Sequence, residues 1–203
     1  MHRQITEGGY EFGEVISALQ KEIRRGNEEH SLYWALECFP FYSKALWTRL
    51  RVICNEDIGL ADPMAQIYVN AQADHFFALE KEGSQRLVLA NTILYLCRTK
   101  KARLCDHFQC AVLQRKLQRN WRIEIPDYAK DKHTRAGKHM GRGWDHWFEE
   151  GCKLENEDKT LRDPYRKLAQ ELWPTRVDPA TVRAKTKKKG TADDLSLFDQ
   201  EEL

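Results

Sequence analysis

The chain has no glycine-rich phosphate loop of the G-x-x-x-x-G-K-[ST] kind and no dinucleotide-binding fingerprint. Nothing in it therefore cradles a nucleotide triphosphate as a hydrolysing motor must. It also lacks G-x-S-x-G, H-E-x-x-H and C-x-x-C, which argues against serine-hydrolase, zinc-peptidase and dithiol redox chemistry. No apolar run approaches the roughly 18 residues that cross a bilayer, and the first residues form no apolar leader. A cytoplasmic protein with no membrane partner is expected, nucleoid association being compatible with that. Cysteines are few and scattered, at 38, 54, 97, 105, 110 and 152. That spacing fits no common zinc pattern, and free, mostly buried thiols are expected. An excess of one charge is missing too. Lys and Arg number 33 against 31 Asp and Glu, so any attraction to nucleic acid has to come from local patches.

What is present is a helical pattern. With 203 residues, 41% of them hydrophobic, the chain is long enough to bury a core without staples. Residues 1–9 read as a flexible start. Phe12, Val15, Ile16, Leu19 and Ile23 then recur at three- and four-residue steps, one face of a helix that Gly26-Asn27 stops. A second helix spans about 28–39, with Leu32, Ala35, Leu36 and Phe39 inward, and Pro40 ends it. A third, about 43–56, turns Leu46, Leu50, Ile53 and Cys54 to one side. Asp62 caps and Pro63 starts a fourth, which carries Ala65, Val69, Ala73 and Phe76. A fifth follows Gly83-Ser84 through Leu87, Leu89, Ala90, Ile93, Leu94 and Leu96, and a sixth covers about 103–120. No strand alternation and no internal repeat occurs. The expected fold is all-α, a compact antiparallel bundle over 10–122.

From Trp121 the texture changes. Residues 123–174 are rich in glycine, histidine and tryptophan and are expected to form an extension packed on the bundle, with a short helix near 163–173. From 175 to 203 core-forming residues give out. Arg183 to Gly190 is a basic linker, expected to be disordered. It precedes a compact apolar cluster among acids, Asp194-Leu195-Ser196-Leu197-Phe198, shaped as a docking peptide.

Asp127, Asp131, His133, His139, Asp145 and His146 form the densest polar constellation. A helix would put Asp127 and Asp131 on one face, and His139 and His146 could share another. Asp127, Asp131, His133, His139 and His146 are what a metal site would draw on. Paired carboxylates with a histidine also suit phosphodiester chemistry. The structural reading is preferred: these groups satisfy loop backbone and form local ion pairs, so no metal, cofactor or catalytic residue is assigned. Cys105, His107 and Cys110 are poor chelators, since on a helix the two cysteines project about 140° apart.

Arg98, Lys100, Lys101, Arg103, Arg115, Lys116, Arg119 and Arg122 concentrate positive charge, with Asp106 the only acid among them and Trp121 alongside. Such a stripe could follow a phosphate backbone without reading sequence, or remain a solvated face. Lys21, Arg24 and Arg25 form a smaller cluster. Tyr33, Trp34, Phe39, Phe41, Tyr42 and Trp47 supply more aromatic area than one helix hairpin needs inside; core packing and a subunit contact are equally open.

The run Val15-Ile16-Ser17-Ala18-Leu19-Gln20-Lys21-Glu22-Ile23-Arg24-Arg25-Gly26-Asn27, followed by Ser31-Leu32-Tyr33-Trp34, resembles the C-terminal helical domain of the bacterial replication-associated recombination ATPases, relatives of the clamp loaders. More specific is Arg51-Val52-Ile53-Cys54-Asn55 leading into Glu56-Asp57-Ile58-Gly59-Leu60-Ala61-Asp62-Pro63, which is close to a signature of that family. Leu89 to Leu96 fits more loosely, and the likeness covers about residues 10–120. It implies a clamp-loader-like helical fold, self-assembly, typically as tetramers, and action of the full proteins at stalled or damaged replication forks. The family's ATPase module has no counterpart here, so a stand-alone relative is expected and that activity is not carried over. Residues 125–151 differ from the family's usual ending. Glu56 and Asp57 are read as fastening the loop into Pro63, not as catalytic.

Asp194-Leu195-Ser196-Leu197-Phe198 is similar to the peptide by which bacterial replication and repair proteins bind the sliding clamp, with Asp194 where glutamine is usual. The resulting expectation is a non-catalytic replication, recombination and repair accessory, acting as a homo-oligomer that binds DNA or the clamp. Two alternatives stand beside it: a metal-dependent enzyme acting on nucleic acid through 127–146, and a helical scaffold for a separate AAA+ ATPase subunit.

Overall fold

The computed structural model describes residues 5–81 and 83–175; the segment Asp194–Phe198, expected as a docking peptide, and the basic stretch before it lie outside the described residues. Among these residues the chain is all-α apart from an isolated antiparallel bridge between Ile5 and Glu11. It divides after Arg122 into two compact units. No helix among the described residues is long and apolar enough to cross a membrane.

The first unit contains α1 (Phe12–Arg25), α2 (Glu28–Cys38), α3 (Ser43–Ile53), α4 (Met64–Ala78), α5 (Gln85–Arg98) and α6 (Leu104–Gln118). α1 buries Val15, Ile16, Leu19 and Ile23, the face that the periodicity marks. It stops because Gly26 takes the left-handed conformation, φ 75°. The Gly26 and Asn27 N–H groups then reach back to the carbonyls of Ile23 and Glu22, each at 3.0 Å, satisfying acceptors that the helix end would leave bare. α4 starts one residue later than its sequence suggests, with Pro63 at the cap position; Asp62 Oδ1 still accepts the Met64 N–H at 3.1 Å, and Ala65, Val69, Ala73 and Phe76 are all buried.

The core sits where these helices meet. Trp47 of α3 is fully buried with its ring centroid 5.2 Å from that of Phe76, and Phe39 meets Phe76 edge-on at 5.7 Å. Trp34, Phe39 and Tyr42 pack against this cluster, so most of the aromatic group serves the interior. Phe41, 76% exposed, and Tyr33 do not.

Several expectations are corrected. α3 stops at Ile53, and residues Cys54–Ile58 wind wider, as a π turn, before a 3-10 turn over Gly59–Ala61. Leu36 points outward because the inner stripe of α2 is Ser31, Ala35 and Cys38, small side chains that let α2 lie close to its neighbours. Leu87 and Leu94 are likewise outside, Leu87 at 75% exposure, because α5 turns Val88, Leu89, Thr92, Ile93, Leu96 and Cys97 inward. The described part of the start, 5–9, is tied down: the Thr6 hydroxyl and the Gly8 N–H both donate to Glu37 Oε2, at 2.8 and 3.1 Å, and the Tyr42 hydroxyl donates to Ile5 O.

The second unit is built differently. A 3-10 turn at Asp127–Ala129 leads to α7 (Arg135–His139) and to α8 (Trp144–His146), which runs on into a π turn at Trp147–Gly151; α9 (Arg166–Leu172) follows. Its one buried position among the described residues is Gly137. A Cβ there would stand 1.8 Å from Asp131 O, so only glycine lets α7 lie against the preceding loop. Aromatic edges supply the rest: Trp147 lies 5.8 Å from Trp144 and 5.0 Å from Phe148, with the Lys132 ammonium 3.4 Å from the Trp144 ring centroid.

Candidate functional site

The signature residues form a charged knot on the π turn. Asp57 is buried, while Glu56 remains at the surface edge. Arg24 of α1 lies 2.8 Å from Asp57 Oδ1 through Nε, close but off the hydrogen-bond line, and donates from Nη2 to Asp57 Oδ2 and Glu56 Oε1, both at 3.2 Å. Gln20 Nε2 donates to Asp57 Oδ2 and Glu56 Oε2, each at 2.9 Å. Arg103, at the root of α6, is 3.2 Å from both carboxylates and pairs with Asp106 at 2.5 Å. The Asp106 hydrogen bond, aided by Asp57 and Glu56, holds the Arg103 guanidinium above its ordinary range. The Ala102 N–H donates to Asp57 O at 2.9 Å. One buried carboxylate thus joins α1, the signature loop and the start of α6, which is a fastening role.

Asp62 closes the loop on its other side. Its Oδ2 accepts from the Thr99 and Tyr95 hydroxyls, which pull its carboxyl below the usual value, while burial beside it pushes the Tyr95 phenol up to about 12. Gly59 is held at φ 51°, where a Cβ would lie 3.1 Å from Cys105 Sγ. Leu60 is exposed beside it. Ala61 completes the 3-10 turn and Pro63 precedes α4. Burial raises the Cys38 thiol to about 12 and the Cys54 thiol to about 11, so neither is a thiolate at neutral pH. All six cysteines are free; Cys38, Cys54 and Cys97 are buried, Cys110 is exposed, and Cys105 and Cys152 are intermediate.

Four of the eight residues of the basic stripe are engaged within the unit. Arg98 forks onto Glu28 at 2.7 and 3.1 Å. Lys101 Nζ donates to the Cys97 and Thr99 carbonyls, and burial lowers its pKa. Arg103 belongs to the knot, and Arg115 stacks 3.8 Å from the Trp121 ring centroid. Lys100, Lys116, Arg119 and Arg122 form no ion pair among the described residues.

α6 itself is the unexpected feature. It has 15 residues and buries none of them. Leu104, Phe108 and Leu117 are 60%, 67% and 66% exposed, and Val112 and Leu113 are exposed as well. At 100° per residue Leu104, Phe108 and Val112 lie on one side of the helix, and Leu113 and Leu117 on the opposite side.

In the second unit the expected Asp/His constellation separates into local pairs. Asp127 lies in its 3-10 turn and accepts from Arg142 Nη2 at 2.6 Å, while Arg142 Nη1 donates to the Asp127 and Lys130 carbonyls. That guanidinium lowers the Asp127 carboxyl. Asp131 lies beyond the turn and takes the His133 ring nitrogen and backbone N–H, each at 2.9 Å; the ring hydrogen bond lowers it in turn. His139 ends α7, whereas His146 ends α8, so they share no helix face. Among the described residues no three His, Cys, Asp or Glu side chains converge to hold a metal ion.

Gln20, Tyr95 and Thr99 were not anticipated as partners of the signature carboxylates. Gln20 could have been found, since it is a polar residue on the buried stripe of α1, where an amide needs an ionic or polar partner.

Comparison with known proteins matches residues 27–167 to the family described as "MgsA AAA+ ATPase C terminal". The chain is 30% identical over 154 residues to the replication-associated recombination protein A of Coxiella burnetii, covering 72% of this chain and 33% of that protein. It is 30% identical over 149 residues to the ATPase WRNIP1 of Dictyostelium discoideum, covering 70% and 16%, respectively. Against the replication-associated recombination protein A of Escherichia coli K12 it is 28% identical over 143 residues, 69% of this chain and 31% of that protein. The chain therefore spans a third or less of these relatives. The family match begins at Asn27 and runs past Gly151. Residues 125–151, which read as a departure from the family pattern, lie inside it.

Proposed function

Because the chain belongs to the MgsA AAA+ ATPase C-terminal family, we propose that it is a non-catalytic helical module of DNA replication and recombination that acts by self-association and partner binding. The observation that carries this reading is α6. A helix with apolar side chains on two opposite sides is stable in water only when both sides are covered, and here neither is. Two separate self-complementary contacts on one chain generate a closed four-subunit assembly. Lys100, Lys116, Arg119 and Arg122 then supply charge for a DNA backbone, and Asp194–Phe198 supplies the clamp-docking peptide.

Light scattering on the full chain tests this. The wild type is expected as a tetramer, and Phe108→Ser or Leu117→Ser alone should each stop assembly at the dimer. A wild type that stays monomeric at tens of micromolar would overturn self-association. Its co-elution with an AAA+ ATPase subunit would then favour the scaffold reading. For the tail, anisotropy with the bacterial sliding clamp should show binding by the full chain and none by a chain ending at Thr186; equal behaviour of the two rejects clamp docking.

A further inference from the structure

We infer that the exposed face of α7 is a second, independent nucleic-acid contact, in which Arg135, Lys138 and His139 hold a phosphodiester backbone. The three residues line an open cleft of about 390 Å³ and are its entire lining. Their spacing puts them on one face of the helix. The opposite face cannot turn outward, because Gly137 is pressed against the Asp131 and Lys130 carbonyls, and Thr134 caps the helix by accepting the Gly137 N–H at 3.0 Å. Packing on one side thus fixes Arg135, Lys138 and His139 on the other.

The neighbouring acids are already taken. Residues 127–144 contain Lys130, Lys132, Arg135, Lys138 and Arg142 against Asp127 and Asp131. Asp127 is paired with Arg142 and Asp131 with His133. Arg135, Lys138 and His139 form no ion pair among the described residues. Most of the unit's other acids follow this stretch in the chain, from Asp145 onward, so α7 itself carries cations and no acid.

The cleft lining narrows the class of ligand. A protein partner would need an apolar centre to the contact, and no apolar residue lines this cleft. A nucleic-acid backbone needs only regularly placed cations. The choice of nucleic acid rests on the replication role proposed above, whereas the location on α7 does not.

Fluorescence anisotropy of the full chain with a labelled single-stranded oligonucleotide across a salt series is the test. Arg135→Gln/Lys138→Gln should weaken binding by about tenfold at about 50 mM salt and reduce the salt slope by about 1.4, two phosphates at about 0.7 each. A Lys153→Gln/Lys167→Gln control, with the same charge change, should do neither. Circular dichroism should show an unchanged fold in both. Unchanged affinity and slope in the α7 variant would overturn the proposal, and a simultaneous loss in Lys116→Gln/Arg119→Gln would show that DNA binding itself survives on α6. Competition by polyglutamate as effective as by the oligonucleotide would overturn the nucleic-acid assignment in favour of an acidic polypeptide.

Discussion

α5 and α6 follow one another in the chain, have 14 and 15 residues, and carry similar numbers of apolar side chains. α5 buries seven positions and α6 none. The difference is one of neighbours. α5 lies against α1, α2 and α4, whereas the main contacts of α6 are with the signature loop, Cys54–Ala61. The proposed self-association rests on this apolar surface without cover inside the subunit, and the knot around Asp57 ties the root of α6 to α1 and the signature loop.

Substitutions in the two regions should therefore have opposite consequences. Trp47→Ala, in the core that α5 helps enclose, should cost about 3–5 kcal/mol of stability in chemical denaturation. Phe108→Ala should change the unfolding free energy of the dissociated chain by less than about 0.5 kcal/mol while weakening assembly. Equal destabilisation by both would erase the distinction. Asp57→Asn sharpens it: removing the buried charge leaves Arg24 and Arg103 facing an amide, at a cost of about 2–3 kcal/mol. It should also loosen α6 more than α5, read as faster amide exchange over 104–118. The smallest effect concerns Asp62. Its folded carboxyl titrates below the ordinary value near 3.8, so its hydrogen bonds to Thr99 and Tyr95 stabilise the fold above that value. The contribution is lost as pH falls through the lower, folded pKa. Denaturation midpoints between pH 6 and pH 3 should fall less steeply in Asp62→Asn than in the wild type.

The same contrast separates what the sequence reveals from what it conceals. Helix existence and most ends were legible because Gly26, Pro40 and Asp62 act locally, through backbone geometry that needs no tertiary knowledge. The signature was legible as a motif, yet its use was not: the partners of Asp57 come from residues 20, 24 and 103, and no local rule brings them together. Periodicity detected α6 as a helix but could not tell a covered apolar face from an uncovered one. In residues 127–146 the spacing of Asp and His suggested a shared face only if the segment were one helix. Gly137, Gly141 and Gly143 break it into short pieces, and each acid finds a nearby partner instead.

On the proposed function, α6 is exposed in a lone subunit and covered on self-association. Hydrogen exchange of the full chain at two protein concentrations, well below and well above the assembly threshold, tests it directly. Amides of 104–118 should become protected as concentration rises while those of α5 stay unchanged. Exchange in α6 that is independent of concentration, under conditions where light scattering detects an assembly, would contradict it.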